Sequence, residues 1–283
     1  MDIKRPFVVG TGIMGAGVGQ LCAQQGYDVT VVDISDEIIE QARGKVEAGL
    51  GRRVEKEKIT QQEMDSVLSH MKWSTDLGLA QECDFVVEAI NENIDAKKEV
   101  FKILDASCSP ETILATNTTA LSVSEIASAT SRPDKVIGMH FFNPAVIMKL
   151  VEIIRGEKTS DETIATTKKF AEDLGKVPIA TAKEAPAGIV SRILAGLLNE
   201  AAAVYADGIA SPQDIDEAMK LGAGLPMGPL ALIDMIGLDI HLAKMETLYA
   251  KLKDERYRPP EIIKEMIAEG KLGRKAGEGF YKY

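Results

Sequence analysis

A glycine-rich turn near the start of the chain has the residue types and spacing that hold a diphosphate. The apolar run 7–9 leads into the sequence GTGIMG, and a helical pattern opens within it. Its three glycines suit a tight strand-to-helix turn, close approach of a ligand to the backbone, and close packing of helix on strand. A diphosphate would lie at the helix N-terminus, where free N–H groups point at it. The residues predicted to bind a dinucleotide here are Gly10, Gly12, Ile13, Met14 and Gly15.

An aspartate at the end of the next apolar run indicates which dinucleotide is bound. Residues 28–32 read as a second strand, and Asp33 follows directly. Its carboxylate can accept hydrogen bonds from a ribose 2′-hydroxyl and would repel a 2′-phosphate, and neither Ile34 nor Ser35 supplies a positive charge. The spacing therefore predicts NAD. The alternative is a glycine-rich turn in some other α/β protein.

A histidine and a glutamate on successive predicted strands could move a proton. Oxidation of an alcohol by a nicotinamide needs a base for the hydroxyl proton, and imidazole exchanges a proton near neutral pH. His140 ends one strand, and Glu152, at the same depth of the next, could fix the imidazole tautomer and stabilise its charged form. The alternative is a buried structural histidine. The other two histidines are interpreted as structural, since His70 lies in a surface stretch and His241 on a helix of the second domain.

Alternating strands and helices must position these side chains. From residue 1 to about 185, β-rich runs alternate with helical patterns, which is typical of a mostly parallel sheet with helices on both faces. Ligands bind beyond the carboxyl ends of such strands, where the candidate residues lie. The predicted strands are Phe7–Val9, Val29–Val32, Met71–Ser74, Phe85–Ile90, Ile113–Thr116, Val136–His140, Leu150–Ile154 and Val177–Ala180.

The pattern changes after Pro186. Apolar residues from Ile189 to Tyr205 are spaced as in a helix, and no further run of strand type follows. We predict an α/β protein: a Rossmann-type, doubly wound, mostly parallel sheet over 1–185 as the NAD-binding domain, and an all-helical domain over 186–283. The first helix of that second domain is apolar on more than one side, so we expect one side to form a homodimer interface.

The composition limits which other partners and which cellular compartment are expected. The 283 residues carry a formal net charge of -10, which argues against a general attraction to nucleic acid or anionic membranes. Three scattered cysteines, Cys22, Cys83 and Cys108, fit a reducing compartment and predict neither a disulfide framework nor a metal site. No apolar run approaches the ~18 residues of a membrane span, and no secretory leader pattern is present, so a cytoplasmic enzyme is expected.

One basic stretch stands out in this acidic chain, within a helical pair predicted over 36–69. Such a run is most often a solvated helix face, and Glu47, Glu55 and Glu57 are available as partners. A local basic patch can also recruit an anionic substrate. The basic residues are Arg43, Lys45, Arg52, Arg53, Lys56 and Lys58.

Several motifs give the chain a resemblance to a known family. They are GTGIMGAGVG at 10–19, VVEAINEN at 86–93, ILATNTTALS at 113–122, RPDKVIGMHFFNPAVIMKLVEIIRG at 132–156, KLGAGLPMGPL at 220–230 and LGRKAGEGFYKY at 272–283. With these, the chain resembles the 3-hydroxyacyl-CoA dehydrogenase family over essentially its whole length, and most of all the bacterial short-chain members that act on 3-hydroxybutyryl-CoA. The resemblance implies reversible oxidation of an L-3-hydroxyacyl-CoA to the 3-oxoacyl-CoA with NAD, and a dimer formed by the helical domain.

The resemblance also implies roles for individual residues. His140 matches the catalytic base and Glu152 its carboxylate partner, while Asn143 matches a residue lining the cofactor and the reacting centre. Thr119 stands where the family usually has a serine that contacts the substrate oxygen and the nicotinamide. The matched positions that touch NAD are Glu92, Lys97 and Lys275, and those near the CoA phosphates are Arg52 and Lys56.

One motif departs from the family pattern. Where the family usually reads Pro-Gly-Phe-x-x-Asn-Arg, this chain reads PAGIVSR over 186–192. Ser191 therefore replaces an asparagine that would bond the thioester end of the substrate, and a serine is shorter and lacks the amide's paired donor and acceptor. We keep two alternatives to the dehydrogenase: a weakly catalytic NAD-binding or structural protein on the same fold, and a β-hydroxyacid dehydrogenase acting on a free acid.

Overall fold

An eight-stranded sheet organises the first part of the chain in the computed structural model, which describes residues 2–283. The strand order is β3-β2-β1-β4-β5-β6-β7-β8, and every neighbouring pair is parallel except β6 with β7. The strands are β1 Pro6–Val9, β2 Val29–Val32, β3 Met71–Ser74, β4 Phe85–Glu88, β5 Ile113–Thr116, β6 Val136–Phe141, β7 Leu150–Ile154 and β8 Val177–Ala180. The predicted fold class is confirmed.

The antiparallel pair β6–β7 follows from the short connection between the two strands. A parallel pair needs a crossover of a dozen or more residues, usually with a helix. Residues 142–149 are too few for one, so the chain turns back on itself. In the resulting register His140 lies directly opposite Glu152.

The central strands are buried on both faces, as in a doubly wound sheet. Along β1, Phe7 and Val9 belong to one apolar cluster, whereas Val8 between them belongs to another. This alternation is the period of two that a strand imposes on its side chains. The two clusters form the core on either side of the sheet.

Helices connect the strands, and most begin where the sequence offers a cap. Thr60 and Glu63 form the reciprocal capping box at the start of the helix Gln61–Ser69. At the helix Val123–Ala127 the Ser122 hydroxyl accepts the N–H of Glu125, and the Glu125 carboxylate pairs instead with Lys98. The helices of this part are α1 Ile13–Gln24, α2 Asp36–Glu55, α3 Gln61–Ser69, α4 Ile94–Ser107, α5 Val123–Ala127 and α6 Asp161–Asp173.

One strand end was predicted wrongly. Strand β4 was expected to reach Ile90, but it ends at Glu88. The Glu88 side chain turns back and accepts the N–H of Ile90 at 2.7 Å, so that backbone donor is bonded locally instead of in the sheet. The other strands agree with prediction to within one residue at each end.

The chain divides into two units, Met1–Gly188 and Ile189–Tyr283. The second unit has its own apolar core, which includes Leu198, Leu230 and Ile263. Its helices are α7 Val190–Ala206, α8 Pro212–Ala223, α9 Pro229–Ile236, α10 Leu238–Leu252 and α11 Glu261–Ala268. Within residues 2–283, no helix is long and apolar enough to cross a membrane.

Candidate functional site

The turn between β1 and α1 is built so that only glycine fits at two of its positions. Gly10 has φ +99°, and a Cβ there would lie 2.7 Å from the carbonyl oxygen of Ala89. A Cβ on Gly15 would come within 1.9 Å of the Gly10 carbonyl oxygen. These are the tight turn and the close helix packing that the spacing predicts.

Gly12 leaves open space at the N-terminus of α1, which suits a diphosphate. A Cβ built on this residue would meet nothing within 4 Å, and no side chain of residues 2–283 caps the helix there. The next residue, Ile13, is largely exposed, and Met14 is half-buried. The helix N-terminus therefore offers its N–H groups to an anion with room for close approach.

The Asp33 carboxylate is anchored beside this turn. Its Oδ2 accepts the Thr11 N–H at 2.6 Å and the Thr11 hydroxyl at 2.8 Å, and its Oδ1 accepts the Ile34 N–H at 2.8 Å. Asp33 lines a cavity of about 400 Å³ together with Gly10 and Gly12. This arrangement fits the ribose of NAD, because Oδ1 of Asp33 accepts only one of these three bonds and can accept another from a hydroxyl group.

His140 is held from both of its ring nitrogens. Nδ1 lies 3.1 Å from Oε2 of Glu152, and Nε2 lies 3.2 Å from Oγ1 of Thr119. Glu152 is fully buried and His140 nearly so. An ionised carboxylate only accepts hydrogen bonds, so Nδ1 carries a hydrogen and Nε2 is the nitrogen that can exchange a proton with a ligand. The structure brings His140, Glu152 and Thr119 together.

Glu92 supports the loop that carries Thr119. Its Oε1 accepts the Thr118 hydroxyl and the N–H groups of Thr119 and Ala120, the last two at 3.0 and 3.1 Å. Three donors on one carboxylate oxygen fix the loop beyond β5. The structure therefore gives Glu92 a positioning role, and its contact with NAD stays a prediction.

Lys97 lies behind this loop and is wholly buried. Its ammonium is 2.6 Å from Oε1 of Glu88, which is also wholly buried, and 3.7 Å from Oε2 of Glu92. The other oxygen of Glu88 accepts the Thr116 hydroxyl at 2.7 Å. A buried pair with this many bonds orders the ends of β4 and β5. A direct contact of Lys97 with NAD stays a prediction.

Asn143 follows β6 in the loop 142–149. It lines a cavity of about 440 Å³ together with Gly12 and Lys45, so the structure brings it next to the glycine-rich turn. The buried Lys176 holds this loop, because its ammonium donates to the carbonyl oxygens of Ala145 at 2.6 Å and Met148 at 2.9 Å. The sequence pattern gave no sign of that role for Lys176.

The basic surface of α2 is mostly free of ion pairs. Arg43 pairs with Glu40 and Glu47, but among residues 2–283 none of the other five basic residues predicted here has a carboxylate within 4 Å. Arg52 and Lys56 are exposed at the C-terminal end of the helix. Charges left without partners suit an anionic ligand, and their contact with CoA phosphates stays a prediction.

Ser191 and Lys275 lie in the second unit. Ser191 is half-buried in the first turn of α7. The Lys275 ammonium is 2.6 Å from both carboxylate oxygens of Asp239, and this bond lowers the pKa of Asp239. The predicted contacts of Ser191 with substrate and of Lys275 with NAD stay predictions.

The C-terminal motif LGRKAGEGFYKY has a structural explanation in the second unit. The buried Asp234 on α9 accepts the N–H groups of Phe280 at 2.9 Å and Tyr281 at 3.0 Å and the Tyr283 hydroxyl at 3.0 Å. A Cβ on Gly279 would lie 2.1 Å from Oδ1 of Asp234. This glycine therefore lets the last residues pack against α9.

Sequence reasoning missed several residues that order the site. Asn117 accepts the N–H of Phe141 through its Oδ1 at 2.9 Å and ties the loop after β5 to the end of β6. Glu184 caps α5 by accepting the N–H groups of Val123 and Ser124. Asn117 lies within the motif ILATNTTALS, but its partner can be identified only from the fold.

The strand order, the glycine-rich turn and the anchored Asp33 define a Rossmann-type NAD-binding domain, the class found in nicotinamide-dependent dehydrogenases. Residues 7–185 match the family described as 3-hydroxyacyl-CoA dehydrogenase, NAD binding domain, and residues 189–283 match the C-terminal domain of the same family. The chain belongs to the 3-hydroxyacyl-CoA dehydrogenase family, as the motifs indicated.

Individual relatives match along the whole chain. A probable 3-hydroxybutyryl-CoA dehydrogenase of Deinococcus radiodurans is 46% identical over 276 residues, 98% of this chain and 99% of the relative. The mitochondrial hydroxyacyl-coenzyme A dehydrogenase of Homo sapiens is 40% identical over 289 residues, 99% of this chain and 91% of the relative. The crystal structure of an (S)-3-hydroxybutyryl-CoA dehydrogenase from Ralstonia eutropha superimposes with a TM-score of 0.96 at 46% identity, covering 100% of this chain and 99% of that one.

Proposed function

We propose that this protein is an NAD-dependent L-3-hydroxyacyl-CoA dehydrogenase that interconverts 3-hydroxybutyryl-CoA and acetoacetyl-CoA. The observation that carries the proposal is the buried His140–Glu152 pair, with Nε2 of the imidazole beside the Thr119 hydroxyl. The names of the relatives support the substrate class. Gly10, Gly12 and Asp33 would hold NAD, which when bound donates or accepts the hydride.

The residues of the chain move the proton. In the reducing direction the protonated His140 donates from Nε2 to the oxygen at C3 of the substrate, and in the oxidising direction it takes that proton back. Glu152 keeps the hydrogen on Nδ1 and stabilises the imidazolium. The Thr119 hydroxyl lies beside Nε2 and donates a second hydrogen bond to the substrate oxygen, next to the one from the imidazole.

The test is the absorbance of NADH at ~340 nm when acetoacetyl-CoA is added, since hydride transfer consumes the reduced nicotinamide. Consumption with acetoacetyl-CoA and NADH, and much less with acetoacetate or NADPH, supports both the CoA ester and the role of Asp33. Consumption of free acetoacetate would support the β-hydroxyacid dehydrogenase instead. A protein that binds NADH and turns over neither substrate would support the weakly catalytic NAD-binding protein.

A histidine variant tests the proton transfer. His140→Gln is expected to lower kcat by about a hundredfold or more, because the acid–base group is lost, while NADH binding stays close to that of the unchanged protein. His70→Gln is the matched control, since within residues 2–283 the ring of His70 bonds only to the Ser66 carbonyl oxygen, at 2.7 Å. Turnover of His140→Gln equal to the control would exclude this mechanism.

We also propose a cytoplasmic location and a homodimer, with the dimer interface formed by the helical unit. The dimer is supported by exposed apolar side chains, since Ile193 on α7 is 67% exposed and Leu221 on α8 is 78% exposed. A second copy of the chain would bury such a surface. Light scattering coupled to size exclusion measures the mass, and Ile193→Asp is expected to shift it toward the monomer. A monomeric unchanged protein would contradict the dimer.

A further inference from the structure

A buried lysine holds the loop 142–149, which joins β6 to β7. Lys176 is only 7% exposed, and its ammonium donates to the carbonyl oxygens of Ala145 at 2.6 Å and Met148 at 2.9 Å. In the described part of the chain, residues 2–283, it forms no ion pair with an acidic side chain. Burying a charge is unfavourable unless its hydrogen bonds are satisfied, so this ammonium depends on the loop carbonyls.

The local backbone places Lys176 beside this loop. After α6, Gly175 turns the chain with φ +72°, and the N–H of Lys176 donates to the Ala171 carbonyl oxygen at 2.9 Å. The next residue, Val177, begins β8 and donates its N–H to the Lys149 carbonyl oxygen at 2.8 Å. The pairing of β8 with β7 therefore brings the lysine to the loop that ends where β7 begins.

The residue that Lys176 binds also contacts helix α1. A Cβ built on Gly17 of α1 would lie 3.3 Å from the Cβ of Ala145, so a side chain at position 17 would crowd the loop. Ala145 and Asn143 both line the cavity of about 440 Å³ that reaches Gly12 at the N-terminus of α1. The loop is therefore held between the lysine and the helix that begins at the proposed diphosphate site.

We propose that Lys176 is a positioning residue for the dehydrogenase reaction: it holds the loop 142–149 so that Asn143 lies beside the glycine-rich turn. The inference rests on the proposed function, in which NAD binds at that turn. An ammonium donates charge-assisted hydrogen bonds, which are stronger than those between neutral groups. Two of them fix carbonyl groups that lie three residues apart in the loop. Without them Asn143 is displaced, and a misplacement of about 1 Å in a reacting site can slow a reaction about a hundredfold.

Hydrogen–deuterium exchange followed by mass spectrometry tests the hold on the loop without requiring turnover. The reporters are the N–H groups of Ile147 and Met148, which both donate to the Pro144 carbonyl oxygen at 3.0 Å. Lys176→Met keeps a long side chain and removes its donors, so exchange at these amides is expected to rise about tenfold or more, while β6 and β7 stay protected. Lys169→Met is the matched control, because Lys169 lies in the same unit and pairs at the surface with an aspartate of its own helix.

A double-variant cycle with Asn143 tests the role in the reaction. We expect kcat with acetoacetyl-CoA and NADH to fall about tenfold to a hundredfold in Lys176→Met and to stay unchanged in Lys169→Met. Lys176→Met added to Asn143→Ala is expected to lower kcat no further, because the side chain that the lysine positions is already gone. Circular dichroism at the assay temperature establishes that each variant is folded. A lysine that only stabilised the fold would leave the kcat of a folded variant unchanged.

Three results would overturn the proposal. The first is loop exchange in Lys176→Met equal to that in Lys169→Met. The second is faster exchange throughout the first unit, or loss of folding, in Lys176→Met, since the lysine would then support the core and not the loop. The third is independent effects of Lys176→Met and Asn143→Ala on kcat. Failure of the proposed function is distinguishable, because an unchanged protein that turns over no acetoacetyl-CoA contradicts that function while the exchange measurement still tests the hold of Lys176 on the loop.

Discussion

Replacing His241 is expected to reduce the loss of stability that accompanies a fall in pH from 7 to 5. This histidine lies on α10 with only 2% of its surface exposed, and its Nε2 has no hydrogen-bond partner within residues 2–283. Burial, and to a lesser extent the charge of Lys244, lowers the pKa of His241 from 6.5 to about 4. The folded protein therefore keeps this ring neutral at pH values where the unfolded chain protonates it.

The difference between the pKa values of His241 in the folded and unfolded states sets the direction and the size of the change in the free energy of unfolding. Well above pH 6.5 the ring is neutral in both states, and it then makes no pH-dependent contribution to the free energy of unfolding. Between pH 6.5 and 4 the unfolded chain binds a proton that the folded protein does not bind, so the free energy of unfolding falls as the pH falls. For a pKa of 6.5 lowered to about 4, the loss between pH 7 and pH 5 is about 2 kcal/mol.

Urea unfolding followed by circular dichroism at pH 7 and pH 5 measures this loss. In His241→Phe the difference between the two pH values is expected to be about 2 kcal/mol smaller than in the unchanged protein, because phenylalanine does not titrate. An identical pH dependence in His241→Phe and the unchanged protein would refute the reasoning.

Three further substitutions test the packing around and beyond the site by urea unfolding. Lys97→Met is expected to lower the free energy of unfolding by about 3–5 kcal/mol, because it leaves the Glu88 carboxylate buried without its cation. Adding Glu88→Gln should restore part of that stability. A further, additive loss in the double variant would contradict the stabilising role of the ion pair. Asp234→Ala should cost about 3 kcal/mol or more, since three donors lose their acceptor, and a cost below about 1 kcal/mol would contradict the role of this carboxylate. Ala187→Gly should raise the free energy of unfolding by about 1 kcal/mol, because glycine adopts the left-handed conformation at φ +63° without strain. Lys253→Gly, at φ +54°, is the comparison at an exposed position. No gain in stability at either position would mean that neither residue is strained.

The sheet could be predicted from sequence because its strands are short β-branched or aromatic runs bounded by turn residues. All eight were placed to within two residues, and the main error, the end of β4, arose from a side chain. Glu88 captures a backbone donor that would otherwise continue the sheet, and a pattern of residue types does not show which way a buried carboxylate turns.

The site was predictable where a local spacing or a direct strand pairing defines it. Gly10, Gly15 and Asp33 fall into that group, and His140 with Glu152 was found because both lie at the same depth of successive strands. The role of Lys176 could not be found, because this residue acts through a contact with a loop that is far away in sequence. Such contacts depend on the folded backbone, and neither residue type nor spacing specifies them.

His140 and Glu152 lie directly opposite each other in the antiparallel ladder of β6 and β7. Their contact therefore depends on the register of these two strands. Side chains alternate between the faces of a sheet, so a slip of one residue between β6 and β7 would place the imidazole and the carboxylate on opposite faces. A partly assembled sheet in the wrong alignment therefore has no working pair at all. Under the proposed mechanism, recovery of activity during refolding is therefore expected to follow the formation of this ladder.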